Sequence, residues 1–435
     1  MSPRTLLISP FFDAALPSGG VLYSVDVVRE WLARGRSVTL LCGRRERRLA
    51  DLQDYVDAGQ LTILPIVDDE QIRFTHHPDP RTYAAARDAI RAVAPDVIHV
   101  HNTHGMLSAV EAAIDSPAPV VATALDFSLI CLNFYLYDST GSVCPGLQGT
   151  GCCQRCISRT MHGSPRWLEP VLPRWATRRI WPRFVRLDQI KAAPELHALM
   201  AHVRRGVDAI IAPSPIMHEK MTAATRGANV CVREILYGVA PEKVLRPDKM
   251  PSEILRLAYL GSAERIKGLH VLIAMLESLP AGLPFEIRAI GNDAVRAAIV
   301  QTSAHVRSYL RYHPPLFGRE LAAEHARIDA VLVPSLWYEN SPFVVLESLA
   351  NGTPVIASDQ PGISHLITPG VNGELVRPGD PAAWRNALLP LIERPGRVRR
   401  MQTAARLDRT TADFVDDVAE LESELLPAER ELVPA

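Results

Sequence analysis

Glu339 and Glu347 stand eight positions apart in the run Pro334-Ser-Leu-Trp-Tyr-Glu-Asn-Ser-Pro-Phe-Val-Val-Leu-Glu347. Glu339 follows an apolar, β-branched stretch, which places it in a loop after a strand. Asn340, Ser341 and Pro342 then open a helix, and Pro342 suits its first turn. The first N–H groups of a helix have no intrahelical partner and can receive an anion. Eight positions are a little over two turns, so Glu347 reaches back toward the same site, where a carboxylate can accept both hydroxyls of a ribose. The bland alternative is a surface glutamate and a capping glutamate.

Other residues with chemical potential are spread along the chain. Gly19 and Gly20 follow one strand and open a helix, where backbone can come close to a phosphate or a sugar; a plain turn is the simpler reading. His99, His101 and His104 surround the end of another strand. Alternation puts His99 and His101 on one face, a spacing that permits a metal, yet a cleft-lining role for His101 or His104 is the preferred reading. Cys131, Cys144, Cys152, Cys153 and Cys156 are clustered, with Gly141, Gly146, Gly149 and Gly151 between or beside them. Four thiolates from Cys131, Cys144, Cys152 and Cys156, with Cys153 (or Cys152) to spare, can close a structural zinc site. Free thiols or a redox bridge are the alternatives.

The glutamate pair has a context. It is followed by Asn351-Gly352-Thr353-Pro354-Val355-Ile356-Ala357-Ser358, Gly373 and Pro378-Gly379-Asp380. It is preceded by Pro17-Ser18-Gly19-Gly20, Asp96-Val97-Ile98-His99-Val100-His101-Asn102, Ala212-Pro213-Ser214, Tyr237-Gly238-Val239 and Lys267-Gly268. In this order the motifs resemble the retaining GT-B glycosyltransferases of family four, and the cysteine run resembles an insertion found in some of them. The resemblance implies transfer of a sugar from a UDP- or GDP-sugar to a glycan, lipid-linked or small-molecule acceptor, as in surface polysaccharide or glycoconjugate synthesis, with no cofactor required for catalysis. It implies catalytic roles for Glu339, Asp126 and His104. It implies donor contacts from Gly19, Gly20, Ser262, Arg265, Lys267, Asn340, Ser341, Phe343, Val344 and Glu347, with Lys267 neutralising the charge that grows on the leaving diphosphate. The chain departs from the family pattern twice. Leu125 stands where a histidine is usual, and Ser262 where an arginine is usual, leaving Arg265 three positions on. These departures keep open a non-catalytic partner that binds nucleotide sugar; a sugar-nucleotide epimerase of the same fold is a further alternative.

Two βαβ series position these residues. Apolar runs at Arg4–Ser9, Ser37–Cys42, Asp96–Val100, Val120–Ala124, Val207–Ala212 and Arg233–Leu236 read as strands of one sheet. Those at Leu255–Leu260, Glu286–Gly291, Ala330–Pro334 and Pro354–Ser358 read as strands of a second. Helices are expected at Gly20–Arg34, Lys267–Leu279, Arg319–Arg327, Pro342–Asn351 and Pro381–Ile392. Strands without polar alternation suit parallel sheets covered on both faces. The expected architecture is α/β, GT-B, with two Rossmann-like doubly wound domains facing across a cleft and a C-terminal helix returning to the N-terminal domain. The boundaries are 1–238 for an acceptor-side domain with an insertion at about 127–200, 239–253 for a linker, 254–405 for a nucleotide-sugar domain, and 406–435 for a helix and tail. In that last stretch Phe414, Val418, Leu421 and Leu425 share one face, and Asp413, Asp416, Asp417, Glu420 and Glu424 read as a solvated one.

Composition narrows the partners. With 47 Lys+Arg against 48 Asp+Glu over 435 residues, the formal charge is −1, which argues against a dedicated nucleic-acid binder. The apolar run at Leu6–Pro10 is too short for a signal-peptide core, and Phe127–Tyr137 falls well short of the ~20 residues that span a bilayer. The expectation is a cytoplasmic protein. Against that even background, Arg155–Arg186 holds eight arginines and one acid, with Trp167, Trp175, Trp181 and Phe184 interleaved. This suits peripheral contact with an anionic inner membrane face or a lipid diphosphate acceptor. Helices packed on the sheet, with arginines in water, explain it equally well, and Pro165, Pro173 and Pro182 interrupt any long amphipathic helix.

Overall fold

Aliphatic strands with no polar face need cover on both sides, and here they assemble into two all-parallel sheets. The computed structural model describes residues 3–12, 19–43, 52–67, 78–103, 105–138, 141–146, 152–153, 156 and 193–426. The first sheet contains β1 (Thr5–Ile8), β2 (Val38–Gly43), β3 (Leu61–Val67), β4 (Val97–Val100), β5 (Val120–Thr123), β6 (Ala209–Ala212) and β7 (Cys231–Glu234), in the order β3-β2-β1-β4-β5-β6-β7. The second contains β8 (Leu255–Leu260), β9 (Phe285–Ile290), β10 (Leu310–His313), β11 (Ala330–Val333), β12 (Val355–Ser358) and β13 (Gly373–Val376), in the order β10-β9-β8-β11-β12-β13. Each order reverses at its centre, between β1 and β4 and between β8 and β11, which makes both sheets doubly wound.

The sequence reading finds the central strands and leaves out β3, β10 and β13. All three are edge strands, and β10 and β13 are only partly buried, with sequences LRYH and GELV. Strands covered on fewer sides carry mixed residues, so the apolar signal fades. The edge strand β7 starts two positions before its expected place. The expected helix at Lys267–Leu279 is instead a 3₁₀ turn at Arg265–Lys267, a left-handed Gly268, and a helix at Leu269–Glu277.

Two compact units result: residues 1–213, 217–235 and 415–435, and residues 214–216 and 236–414. The stretch 239–253, expected as a linker, is strapped to the second unit. The Asn351 side chain accepts from the backbone N–H groups of Leu245 and Arg246, and Lys249 Nζ donates to the carbonyls of His325 and Ile328 and to Thr353 Oγ1. From Val415 onward the helix Thr411–Leu425 belongs to the first unit. Val418 and Leu421 are buried there as their spacing predicts. The polar face is not simply solvated: Asp416 pairs with Arg34 and Glu424 with Arg233.

One acid of this helix is buried. Glu422 is 2% exposed, accepts from Arg36 through both carboxylate oxygens, and lies 2.6 Å from His99 Nε2. Arg36 also lies over the Trp31 ring. Burial alone would raise the Glu422 carboxyl, but hydrogen bonds with His99 and Arg36 hold it down at about 2. Burial drives His101 and His325 in the other direction for a base, each down to about 3. Among the described residues no helix is long and apolar enough to cross a membrane.

Glu422→Ala leaves Arg36 buried without its partner and is expected to cost about 3–5 kcal/mol in urea unfolding. His101 and His325 fold as neutral rings. Their contribution is therefore complete above their ordinary value of 6.5 and is lost as pH falls from there toward about 3. Thermal midpoints should drop steadily between pH 7 and pH 4; a flat profile would contradict the neutral burial.

Candidate functional site

The site residues of the second unit lie on loops that follow β8 and β11, the two strands flanking its switch point. Gly268 brings the loops together. Its φ is +76°, and a Cβ there would lie 1.9 Å from the Pro334 carbonyl oxygen. The Leu336 N–H donates to the Ile266 carbonyl at 2.8 Å. The 3₁₀ turn carrying Lys267 is thus pressed against the loop carrying Glu339, and Lys267 Nζ lies 2.9 Å from Glu339 Oε1. Gly362 closes the other side, since a Cβ there would lie 1.7 Å from the Glu339 carbonyl oxygen.

Glu339 is 4% exposed. Its Oε1 also accepts from the Ser335 hydroxyl at 2.7 Å and from the Trp337 indole N–H at 2.9 Å. Lys267 Nζ stands 4.9 Å from the centre of the Trp337 ring. Tyr259 packs nearby; burial first, then the charges of Glu339 and Glu264, push its phenol well above the ordinary range.

The following helix, Phe343–Ala350, has no described side chain capping its start. Asn340 Oδ1 accepts from the Ser214 hydroxyl at 2.9 Å, and Ser341 is buried at φ +50° with its hydroxyl 3.3 Å from His365 Nε2. Phe343 stacks on Tyr237 at 5.0 Å, and Val344 packs against the sheet. Glu347 is partly exposed, with Lys243 Nζ 3.9 Å away. Ser262 Oγ donates to Glu264, and Arg265 is exposed. The model therefore brings together Lys267 and Glu339, and places Asn340 through Glu347 in continuous order along one helix start. Ser335, Trp337, Gly362 and Lys243 were not singled out by sequence. Ser335 and Trp337 lie within the same run, but nothing in their spacing announces that the loop folds them onto Glu339.

In the first unit, Gly19 and Gly20 open the helix Gly19–Ala33. A Cβ on Gly20 would meet Leu125 at 3.6 Å, ordinary contact, so the residue in the usual histidine place packs against Gly20. Asp126 turns its carboxylate back to the Ser128 N–H at 2.8 Å. His101 is buried with Nδ1 3.1 Å from Ser24 Oγ, and both it and His99 lie against Trp31. Both histidines are core groups, so His101 does not take the expected cleft-lining place. His104 and, apart from Cys156, the Arg/Trp-rich segment Arg155–Arg186 lie outside the described residues.

The cysteines converge on one cavity of about 170 Å³, lined by Cys131, Cys144, Cys152, Cys153 and Cys156 together with Asp138. Burial and the neighbouring thiols raise Cys131 to about 11 and Cys153 to about 12. As the side chains stand, no three histidine, cysteine, aspartate or glutamate groups among the described residues are gathered as ligands of one ion.

Comparison with known proteins fits this arrangement. Residues 255–394 match the family model described as glycosyl transferases group 1, and residues 17–128 match that of glycosyltransferase family 4. Each unit thus carries a stretch similar to these glycosyltransferases. The chain is 34% identical over 165 residues to a D-inositol 3-phosphate glycosyltransferase of Xylanimonas cellulosilytica, covering 36% of this chain and 38% of that protein. It is 30% identical over 227 residues to a glycogen synthase of Mycobacterium tuberculosis, covering 51% and 54%. The matches thus span only 38% and 54% of the length of these two curated relatives. Among solved structures, Anabaena Alr3699/HepE in complex with UDP-glucose aligns over 97% of this chain and 100% of its own at 15% identity, with a TM-score of 0.64. The glycosyltransferase WaaG aligns over 96% and 99% at 13% identity, with a TM-score of 0.63. Both share the two-sheet GT-B fold.

Gly268→Ala tests the loop junction. It meets both a left-handed backbone and the Pro334 carbonyl, whereas Gly282→Ala, at φ +83° with nothing within 4 Å, meets only the first. Gly282→Ala is expected to cost about 1–2 kcal/mol, and Gly268→Ala distinctly more in the same denaturant titration.

Proposed function

We propose that the chain is a retaining glycosyltransferase that takes its sugar from a nucleoside-diphosphate sugar, UDP- or GDP-linked, and passes it to a sugar or lipid-linked sugar acceptor. The observation that carries this reading is the meeting of Lys267 with buried Glu339 immediately before the helix that leads to Glu347. A diphosphate suits that cation and helix start, a donor sugar suits Glu339, and a ribose suits Glu347. That Anabaena Alr3699/HepE was solved with UDP-glucose supports the donor class.

In the step proposed, the bond from the sugar C1 to the diphosphate oxygen breaks while the acceptor oxygen bonds to C1 on the same face. The acceptor proton passes to a phosphate oxygen of the leaving diphosphate. Lys267 balances the charge gained there, and Glu339 holds the sugar. The Arg/Trp-rich segment supports a role at an anionic membrane face for a lipid-linked acceptor, and surface polysaccharide synthesis suits such a substrate. A nucleotide-sugar-binding partner without turnover is favoured only by Leu125 and Ser262.

The five-thiol cavity is proposed to take zinc as a structural ion. The convergence of the thiols on one space supports this; since they do not yet form a ligand set, binding includes their rotation onto the ion.

Three variants separate the roles. Glu347→Ala should weaken UDP binding by about 1–3 kcal/mol with kcat little changed. Glu339→Gln should lower kcat more than donor affinity, and Lys267→Ala should damage both. Donor isomerisation without hydrolysis or transfer would indicate an epimerase instead. Metal analysis of protein purified without chelator should find about one zinc per chain; a metal-free protein with five reactive thiols at the cavity would refute the zinc site.

A further inference from the structure

Three donors fall on one oxygen of Glu339, and among the described residues its other oxygen, Oε2, receives none. One of those donors is Lys267, which the proposed function also assigns to the donor diphosphate. A cation shared with an incoming ligand cannot alone hold a carboxylate that is 4% exposed, because a buried charge left without donors is costly. Ser335, 1% exposed, and Trp337, 8% exposed, are neutral donors set in the packed loop. They can remain on Oε1 when Lys267 turns to a phosphate. Trp337 does a second thing: its ring face lies under the Lys267 ammonium, a contact that steadies the cation without neutralising it.

We infer that Trp337 is a positioning residue for both charged groups of the site. Its ring places Lys267, and its N–H, together with the Ser335 hydroxyl, pins Oε1 of Glu339 and leaves Oε2 to accept from the donor sugar. This rests on the proposed function for its consequence in catalysis, but the arrangement itself can be read independently.

Conservative variants divide the two duties. Trp337→Phe keeps a ring for Lys267 and removes the N–H; Ser335→Ala removes the other neutral donor; Trp337→Leu removes both ring and N–H. Each is measured for UDP affinity by calorimetry, for kcat and KM of UDP-glucose turnover, and for thermal midpoint. Trp337→Phe and Ser335→Ala should lower kcat on the order of ten- to a hundredfold with UDP affinity unchanged, and Ser335→Thr should recover most of the loss. Trp337→Leu should in addition weaken UDP severalfold. A merely structural role would lower affinity, turnover and midpoint together in all of them, and that result, or no change in kcat, overturns the inference.

The indole ¹⁵N–H spectrum supplies the arm that does not need turnover. The signal lost in Trp337→Phe should move in Glu339→Gln and in Lys267→Ala. If it moves while the parent protein turns over none of a panel of UDP- and GDP-sugars, the proposed function fails and the positioning stands. If it stays in place in Glu339→Gln, the positioning fails whatever the activity.

Discussion

A carboxylate that is almost wholly buried must be given donors, and satisfying Glu339 organises much of the second unit's site. Lys267, Ser335 and Trp337 come from two different loops and meet on one oxygen atom. For that meeting the loops must touch through backbone, and Gly268 and Gly362 are the positions where a side chain would prevent it. The helix that follows carries Glu347 outward, beside Lys243. The acid, the cation and the helix start are thus one construction.

The first unit has a parallel solution in a different place. Glu422, from the last helix of the chain, enters the core and is satisfied by Arg36 and His99. A hydrophobic stripe alone would hold that helix against the sheet at many rotations. The ion pair, with Arg36 also lying over Trp31, selects one. The histidines of the β4 end are therefore spent on the interior: His99 on this pair and His101 on Ser24. Leu125 sits against Gly20 in an apolar contact.

The cysteine loop differs from both. Its five thiols share a cavity, and burial together with their mutual repulsion keeps Cys131 and Cys153 protonated. Their closeness in sequence reflects closeness in space, yet their orientation is not that of a closed ligand set.

By itself the sequence determined the class of fold and the line of motifs. Central parallel strands such as β4, β5, β8 and β11 are buried on both faces, so their residues must be apolar and the signal is local. The Glu339–Glu347 spacing and a helix after Glu339 were also legible, because a helix start has local causes, although the helix begins at Phe343 with Pro342 just outside it; Lys267 and Gly268 were read as the start of a helix and fold instead as a 3₁₀ turn and a left-handed residue. Edge strands β10 and β13 were not legible, since their residues answer to one neighbour and to solvent; β3 was passed over although its run LTILPIV is apolar but for Thr62 and the interrupting Pro65. Only the tertiary structure decided that Ser335 and Trp337 turn onto Glu339, that Gly268 is a contact as well as a turn, and that Glu422 belongs inside. Each of those depends on a residue far away in the chain, and a carboxylate in a sequence carries no mark of whether a distant arginine or lysine will make its burial affordable.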